Sequence, residues 1–138
     1  QRAITNFSEQ IVDEFGVKTP SVSTSVENLS GGNQQRLIIG REFSKEPRVI
    51  IAAQPTRGLD VGGMEYVHEQ LLKMRDRGAA ILLISMDLDE VMMLSDRIAV
   101  MYDGQIVGIK DPEETNRREL GELMLSGTQV QPREGEEE

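Results

Sequence analysis

The sequence predicts an α/β fold, and three observations carry that expectation. Two short apolar runs, Val49-Ile50-Ile51-Ala52-Ala53 and Ala79-Ala80-Ile81-Leu82-Leu83-Ile84, have the length and unbroken hydrophobicity of buried parallel strands. Between them Met64, Val67, Leu71 and Met74 recur at helical spacing, and the pattern stops at Gly78. Strand, helix and strand in that order imply a parallel sheet with a right-handed crossover.

The other elements follow from local chemistry. Ile4, Phe7, Ile11, Val12 and Phe15 recur at intervals of three and four, which predicts an amphipathic helix ending at Gly16. The Ser/Thr/Val-rich stretch from Thr19 to Asn28, with Pro20, reads as a loop or extended connector. A second helical pattern runs through Arg36, Leu37, Ile38, Ile39 and Phe43. Asp87 with Glu90 three residues on predicts a capping box for a short helix through Leu94. Ile98–Tyr102, then Asp103-Gly104, then Gln105–Ile109 is a hairpin signal. Asp111-Pro112-Glu113-Glu114 is expected to start another helix, with proline in the tolerated first turn, and Leu120, Leu123, Met124 and Leu125 supply a last apolar face.

The bulk properties exclude several classes. With 138 residues the chain is about one domain long, and without cysteine it has neither a disulfide scaffold nor a thiolate metal site. No apolar run approaches the ~20 residues of a membrane-spanning helix, and Gln1-Arg2-Ala3-Ile4-Thr5-Asn6 has no apolar signal core. A membrane connection is therefore expected to run through a partner. The net charge of −9 disfavours a nucleic-acid partner, because phosphate backbones are bound by Lys and Arg clusters. Part of that charge lies in Glu134-Gly135-Glu136-Glu137-Glu138, and residues 128–138 read as an acidic disordered tail.

The most informative stretch is Leu29-Ser30-Gly31-Gly32-Asn33-Gln34-Gln35. Serine offers a hydroxyl, and adjacent glycines let backbone N–H groups approach a phosphate with no Cβ in the way. The start of the following helix adds unpaired donors and partial positive charge. This order of residues builds an anion site.

The same stretch resembles the signature motif of ATP-binding cassette (ABC) ATPases, in the form found in importers of simple sugars and nucleosides. The likeness continues through Pro55-Thr56-Arg57-Gly58-Leu59-Asp60-Val61-Gly62, Leu83-Ile84-Ser85 and Leu94-Ser95-Asp96-Arg97-Ile98, from about Val26 to Gly108 in family order. The resemblance implies a partial ABC ATPase domain: residues 1–35 the end of the helical subdomain with the signature motif, and residues 36–127 the C-terminal part of a RecA-like core. No G-x-x-x-x-G-K-[ST] phosphate loop is present, so the chain is expected to be a fragment, the later part of a second cassette in a fused two-cassette subunit.

What the resemblance implies for chemistry is asymmetric. Where the family's strand before Pro-Thr ends in Asp-Glu, this chain has Ala53 and Gln54, and where the family places a switch histidine after Ser85 it has Met86. Alanine gives a hard cation no oxygen, and glutamine cannot accept a proton from water at neutral pH. No catalytic residue is expected intact and no metal is expected to be held here; the chain's own hydrolytic site reads as degenerate. ABC cassettes pair head to tail, so Leu29, Ser30, Gly31, Gly32, Asn33, Gln34 and Gln35 are expected to contact ATP held by a partner cassette. Gly58, Leu59 and Asp60 match the interface D-loop. ATP, with Mg²⁺ in the intact assembly, is the implied cofactor. The implied partners are another cassette, transmembrane permease subunits and, indirectly, a substrate-binding protein, at the cytoplasmic face of the membrane. Similarity around Ala52–Gly62 is greatest to the nucleoside branch.

Other readings stay open on the residues alone: a soluble ABC protein of DNA repair or translation, or a regulatory cassette whose signature no longer acts. His68, the sole histidine, reads as a helical residue. Met64, Met74, Met92 and Met93 read as core or interface filler. Asp87, Asp89 and Glu90 read as helix capping in preference to a metal cluster, and Gly62-Gly63 as the eased start of a helix.

Overall fold

A computed structural model describes residues 2–128, so all but Thr128 of the acidic tail expected over residues 128–138 lies outside the described residues. The order is α1 (Arg2–Glu14), a single 3-10 turn (Val26–Asn28), α2 (Gly31–Phe43), β1 (Val49–Ala53), α3 (Val61–Asp76), β2 (Ala80–Ile84), α4 (Leu88–Leu94), β3 (Ile98–Tyr102), β4 (Gln105–Lys110) and α5 (Arg117–Ser126). The α/β class is as the sequence predicts. The chain divides into two compact units between Leu82 and Leu83.

In the first unit α1 packs on α2 and α2 on α3. Ile11, Phe15, Val17, Ile39, Phe43, Val67, Leu71 and Met74 in and beside these elements are buried. Each such side chain contributes roughly 1.5–3 kcal/mol relative to exposure. Gly40 is what lets the first two helices meet. A Cβ there would stand 2.7 Å from Ile11 Cγ2 and 2.9 Å from the Phe15 ring. α1 ends as expected: Gly16 turns left-handed at φ 62° and the Val17 N–H donates to the Val12 carbonyl at 2.9 Å, a Schellman closure. α3 closes the same way at Gly78, where the Gly78 and Ala79 N–H groups donate to Arg75 and Met74 carbonyls.

β1 and β2 pair as a two-stranded parallel sheet, with the Ala80 N–H donating to the Arg48 carbonyl at 2.9 Å. The expectation that both runs are fully buried needs correction. Ile50 is buried, but Val49, Ile51, Leu82 and Ile84 are 48–68% exposed. Successive side chains of a strand point to opposite faces, and in the described residues one face of this pair is left open.

In the second unit β3 and β4 form the expected hairpin. Asp103 and Gly104 both take positive φ, 46° and 75°, which a two-residue turn needs to match the strand twist. Val100 faces Gly108 and Met101 faces Ile106, so Val107 is an extra residue at a bulge. α5 lies against β3, and Ile98, Val100, Leu120 and Leu123 form a buried cluster supported by Leu88, Val91, Met92, Val107 and Met124. Met93 is exposed, so of the adjacent pair only Met92 fills core.

Two local expectations shift. The helix expected at Asp111-Pro112 begins later, at Arg117, because Asp111 Oδ1 accepts from the Glu113 N–H and closes a turn, while Asn116 Oδ1 caps α5 through the Glu119 N–H. Asp87 caps α4 as expected, accepting from the Asp89 and Glu90 N–H groups, but its own N–H donates to Ser85 Oγ. Serine therefore takes the reciprocal position that a capping box would give to glutamate. Among the described residues no three His, Cys, Asp or Glu side chains gather to hold a metal ion, and no helix is long and apolar enough to cross a membrane.

Lys110 donates to Glu119 and Thr115 Oγ1 donates to its other carboxylate oxygen at 2.8 Å, tying β4 to α5. The Lys110 hydrogen bond, then that from Thr115, holds the Glu119 carboxyl below its ordinary value.

Two outcomes follow. Gly40→Ala adds a methyl where none fits; an overpacking cost of about 1–3 kcal/mol opposes about 1 kcal/mol of helix propensity, and the urea midpoint should fall. A lowered carboxylate binds fewer protons folded than unfolded, so its stabilisation is full above the ordinary carboxylate range and lost as pH falls through the folded value. Glu119→Gln should lower the thermal midpoint at neutral pH and leave a smaller acid-side decline than in the unsubstituted chain.

Candidate nucleotide-contact segment at the start of α2

The segment Leu29–Gln35 is built by its own amide side chains. Ser30 takes extended backbone, φ −62° and ψ 154°, and α2 begins at Gly31. The Ser30 hydroxyl makes no capping hydrogen bond to the helix, so it leaves the first-turn N–H groups of Gly31, Gly32 and Asn33 uncapped. The hydroxyl instead accepts from Asn33 Nδ2 at 2.9 Å, while Asn33 Oδ1 accepts from the Lys18 N–H at 2.8 Å. Gln34 Nε2 donates to the Leu29 and Val26 carbonyls at 3.0 and 3.1 Å. Gln35 Nε2 crosses to the Pro55 carbonyl at 2.9 Å.

The geometry thus divides the seven expected contact residues. Ser30 and Gly31 are exposed, while Leu29, Asn33, Gln34 and Gln35 are half-buried with the three amides turned onto this chain. Gly32 is half-buried but open at its Cβ position. Apart from chain neighbours and the helix's own backbone, Gly31 and Gly32 have no atom within 4 Å of where a Cβ would stand, and neither takes positive φ. Unlike Gly40, they are required by neither packing nor backbone conformation within the described chain.

Gln35 joins this segment to the loop after β1. Gln54 leaves the strand at φ 49°, the Arg57 N–H donates to its carbonyl at 3.2 Å, and the Leu59 N–H donates to Thr56 at 3.1 Å. Gly58 turns at φ 76° and is exposed. Asp60 is exposed and caps α3, accepting from the Gly63 N–H at 2.7 Å, so Gly62-Gly63 is the start of a helix as expected. Space at Gly63 is tight: a Cβ there would lie 3.1 Å from both the Asp60 carboxylate and Leu59 Cβ. Ala53 is exposed and Gln54 half-buried in the first unit. Met86, 76% exposed, belongs to the second. The Ala53 methyl offers no oxygen to a hard cation.

A clamp that the sequence pattern did not announce lies one turn further along α2. The Phe15 carbonyl accepts from both Tyr66 Oη at 3.1 Å and Arg36 Nη1 at 3.3 Å, and the Arg36 guanidinium stacks on the Tyr66 ring at 3.7 Å. α1, α2 and α3 meet there. Burial raises the Tyr66 phenol above its ordinary value, with Arg36 opposing, so Tyr66 keeps the proton it donates. His68 sits half-buried in α3.

No protein-family model matches the chain. It is 52% identical over 122 residues to the guanosine import ATP-binding protein NupO of Bacillus subtilis, an alignment spanning 88% of this chain and 24% of that protein. The chain belongs to the ABC ATPase family. It is also 50% identical over 124 residues to the nucleoside import ATP-binding protein NupA of Lactococcus lactis, spanning 90% and 24% of the two, and 43% identical to the glucose import ATP-binding protein TsgD13 of Haloferax volcanii, spanning 87% and 22%. It therefore spans about a quarter of the length of these ABC relatives. Solved ABC cassettes share the fold. One ATP-binding cassette of an ABC transporter superposes with a TM-score of 0.68 at 22% identity, covering 91% of this chain and 48% of its own. A dimeric bacterial ABC transporter cassette gives 0.66 at 24%, covering 78% and 46%.

Proposed function

We propose that this chain is the signature-bearing part of an energy-coupling ATP-binding subunit in an ABC importer, with nucleosides the favoured cargo class and sugars the alternative. Residues 1–35 belong to the helical subdomain and residues 36–127 to the ATPase core. Leu29–Gln35 serves a triphosphate held by a partner cassette, upstream in the same polypeptide or in a second copy. Permease subunits hold the assembly at the cytoplasmic face of the membrane, and a substrate-binding protein supplies cargo from the other side. The nucleoside preference rests on identities of 50–52% to nucleoside and guanosine import proteins, against 43% or less to sugar import proteins.

One observation carries the reading: two glycines at a helix start, unexplained by packing or backbone, with first-turn N–H groups that no side chain caps. Ser30 and those N–H groups can donate to a phosphate brought from outside, and the amides of Asn33, Gln34 and Gln35 keep the donors in place. A helix end is worth roughly 0.3–2 kcal/mol to an anion, well short of the ~4 kcal/mol of even millimolar binding. The segment therefore needs the partner's own nucleotide site, and this chain alone does not hydrolyse ATP. At the positions where the resemblance places the hydrolytic residues, Ala53 offers no carboxylate to a metal, Gln54 no proton acceptor and Met86 no ring donor; Mg²⁺ belongs to the partner's site.

Ser30→Arg in the full-length subunit, assembled with its membrane partner, should lower ATP turnover at least tenfold by filling the glycine-lined opening. Unchanged turnover would mean a regulatory cassette and remove the trans role. Gln54→Ala should leave turnover within about twofold, since no proton acceptor is lost; a collapse comparable to loss of a catalytic carboxylate would show that the local site is active.

A further inference from the structure

We infer that Gln35 is a positioning residue that locks the signature segment to the loop carrying Asp60, so that both are presented to a partner cassette as one body. The inference rests on the trans reading above.

On one side of the bond, Leu29–Gln34 is already braced. Gln34 holds two carbonyls upstream, and Asn33 holds the Ser30 hydroxyl and the Lys18 N–H. On the other side, the loop from Gln54 to Asp60 is a chain of closed turns, with Arg57 donating to Gln54, Leu59 to Thr56, and Gly63 to the Asp60 carboxylate. Each half resists deformation, yet they are distant in sequence. Gln35 Nε2 donates to the Pro55 carbonyl across 20 residues in a partly buried setting. Pro55 directly follows the left-handed Gln54, the point where the chain leaves β1. A shift of α2 is therefore passed to the base of the Asp60 loop, and a shift of that loop to α2.

The consequence is kinetic. The Gln35 amide is turned toward Pro55 in a partly buried setting, and its role there is to brace the loop, so its loss should spare ATP affinity. It should instead lower the fraction of closed encounters in which Ser30 and the glycine N–H groups are aligned, because small misplacement is costly in rate. The loss of one neutral hydrogen bond corresponds to roughly three- to tenfold.

The test uses the full-length subunit in its assembly, with Ser30→Arg measured alongside. Gln35→Met keeps the length of the side chain without the donor, and Gln35→Lys restores a donor that can reach a carbonyl. The expected result is a kcat three- to tenfold lower for Gln35→Met with KM for ATP within twofold, substantial recovery in Gln35→Lys, and faster amide hydrogen exchange in both 29–34 and 55–60. If Ser30→Arg abolishes turnover but Gln35→Met matches the unsubstituted protein, the coupling is overturned while the trans role stands. If Ser30→Arg is also silent, the trans role itself fails. A rise in KM without loss of kcat would place Gln35 on the nucleotide and overturn the positioning role. Should Gln35→Met fold poorly, Gln35→Lys with slow turnover and normal exchange would contradict it equally.

Discussion

Three consecutive amide side chains set the shape of the start of α2, and the functional reading depends on them. Asn33, Gln34 and Gln35 each turn back onto the chain, to the Ser30 hydroxyl and Lys18 N–H, to the Leu29 and Val26 carbonyls, and to the Pro55 carbonyl. Side-chain amides can satisfy backbone groups from both their donor and acceptor ends, so a segment that would otherwise be a loose serine-glycine turn becomes a defined ledge. Its outer surface is then left to Ser30, Gly31 and Gly32. The residues that look like ligands in the sequence divide into those that face outward and those that hold them there.

The surrounding packing serves the same end. Gly40 allows α1 to seat Ile11 and Phe15 directly on α2, and the Phe15 carbonyl at the end of α1 receives both Tyr66 and Arg36. α2 is thus fixed at its middle by apolar contact and just beyond its first turn by a polar clamp. Order of this kind matters for a donor set whose individual electrostatic contribution is small. Binding a phosphate to preplaced N–H groups costs little further ordering, and preorganised donors are where electrostatic stabilisation is strongest.

Much of the fold was legible because its signals are local. Asp103-Gly104 marks a hairpin through the positive φ that both positions require, Gly16 and Gly78 mark helix ends through the left-handed closure, and Asp87 marks a cap through its short carboxylate. The start of α5 was harder to read: Asp111-Pro112 carries a helix-start signal, but the hydrogen bond from Glu113 to Asp111 closes a turn there and the helix begins after the Asn116 cap. Strand burial was not legible either: an unbroken apolar run is compatible with two covered faces but does not itself supply the covering elements. The site was readable as a motif and not as a mechanism. Nothing local in the sequence says that Gln35 reaches Pro55 or that Tyr66 and Arg36 share one carbonyl, because such partners are set by tertiary packing across 20 to 51 residues.

The central claim is that this ledge closes on a triphosphate bound by another cassette. A structure of the full-length assembly trapped closed with a non-hydrolysable ATP analogue tests it most directly. The account predicts the Ser30 hydroxyl and the Gly31 and Gly32 N–H groups within hydrogen-bond reach, about 2.7–3.2 Å, of a γ-phosphate held by the partner. A closed assembly in which Leu29–Gln35 points away from that phosphate would contradict it.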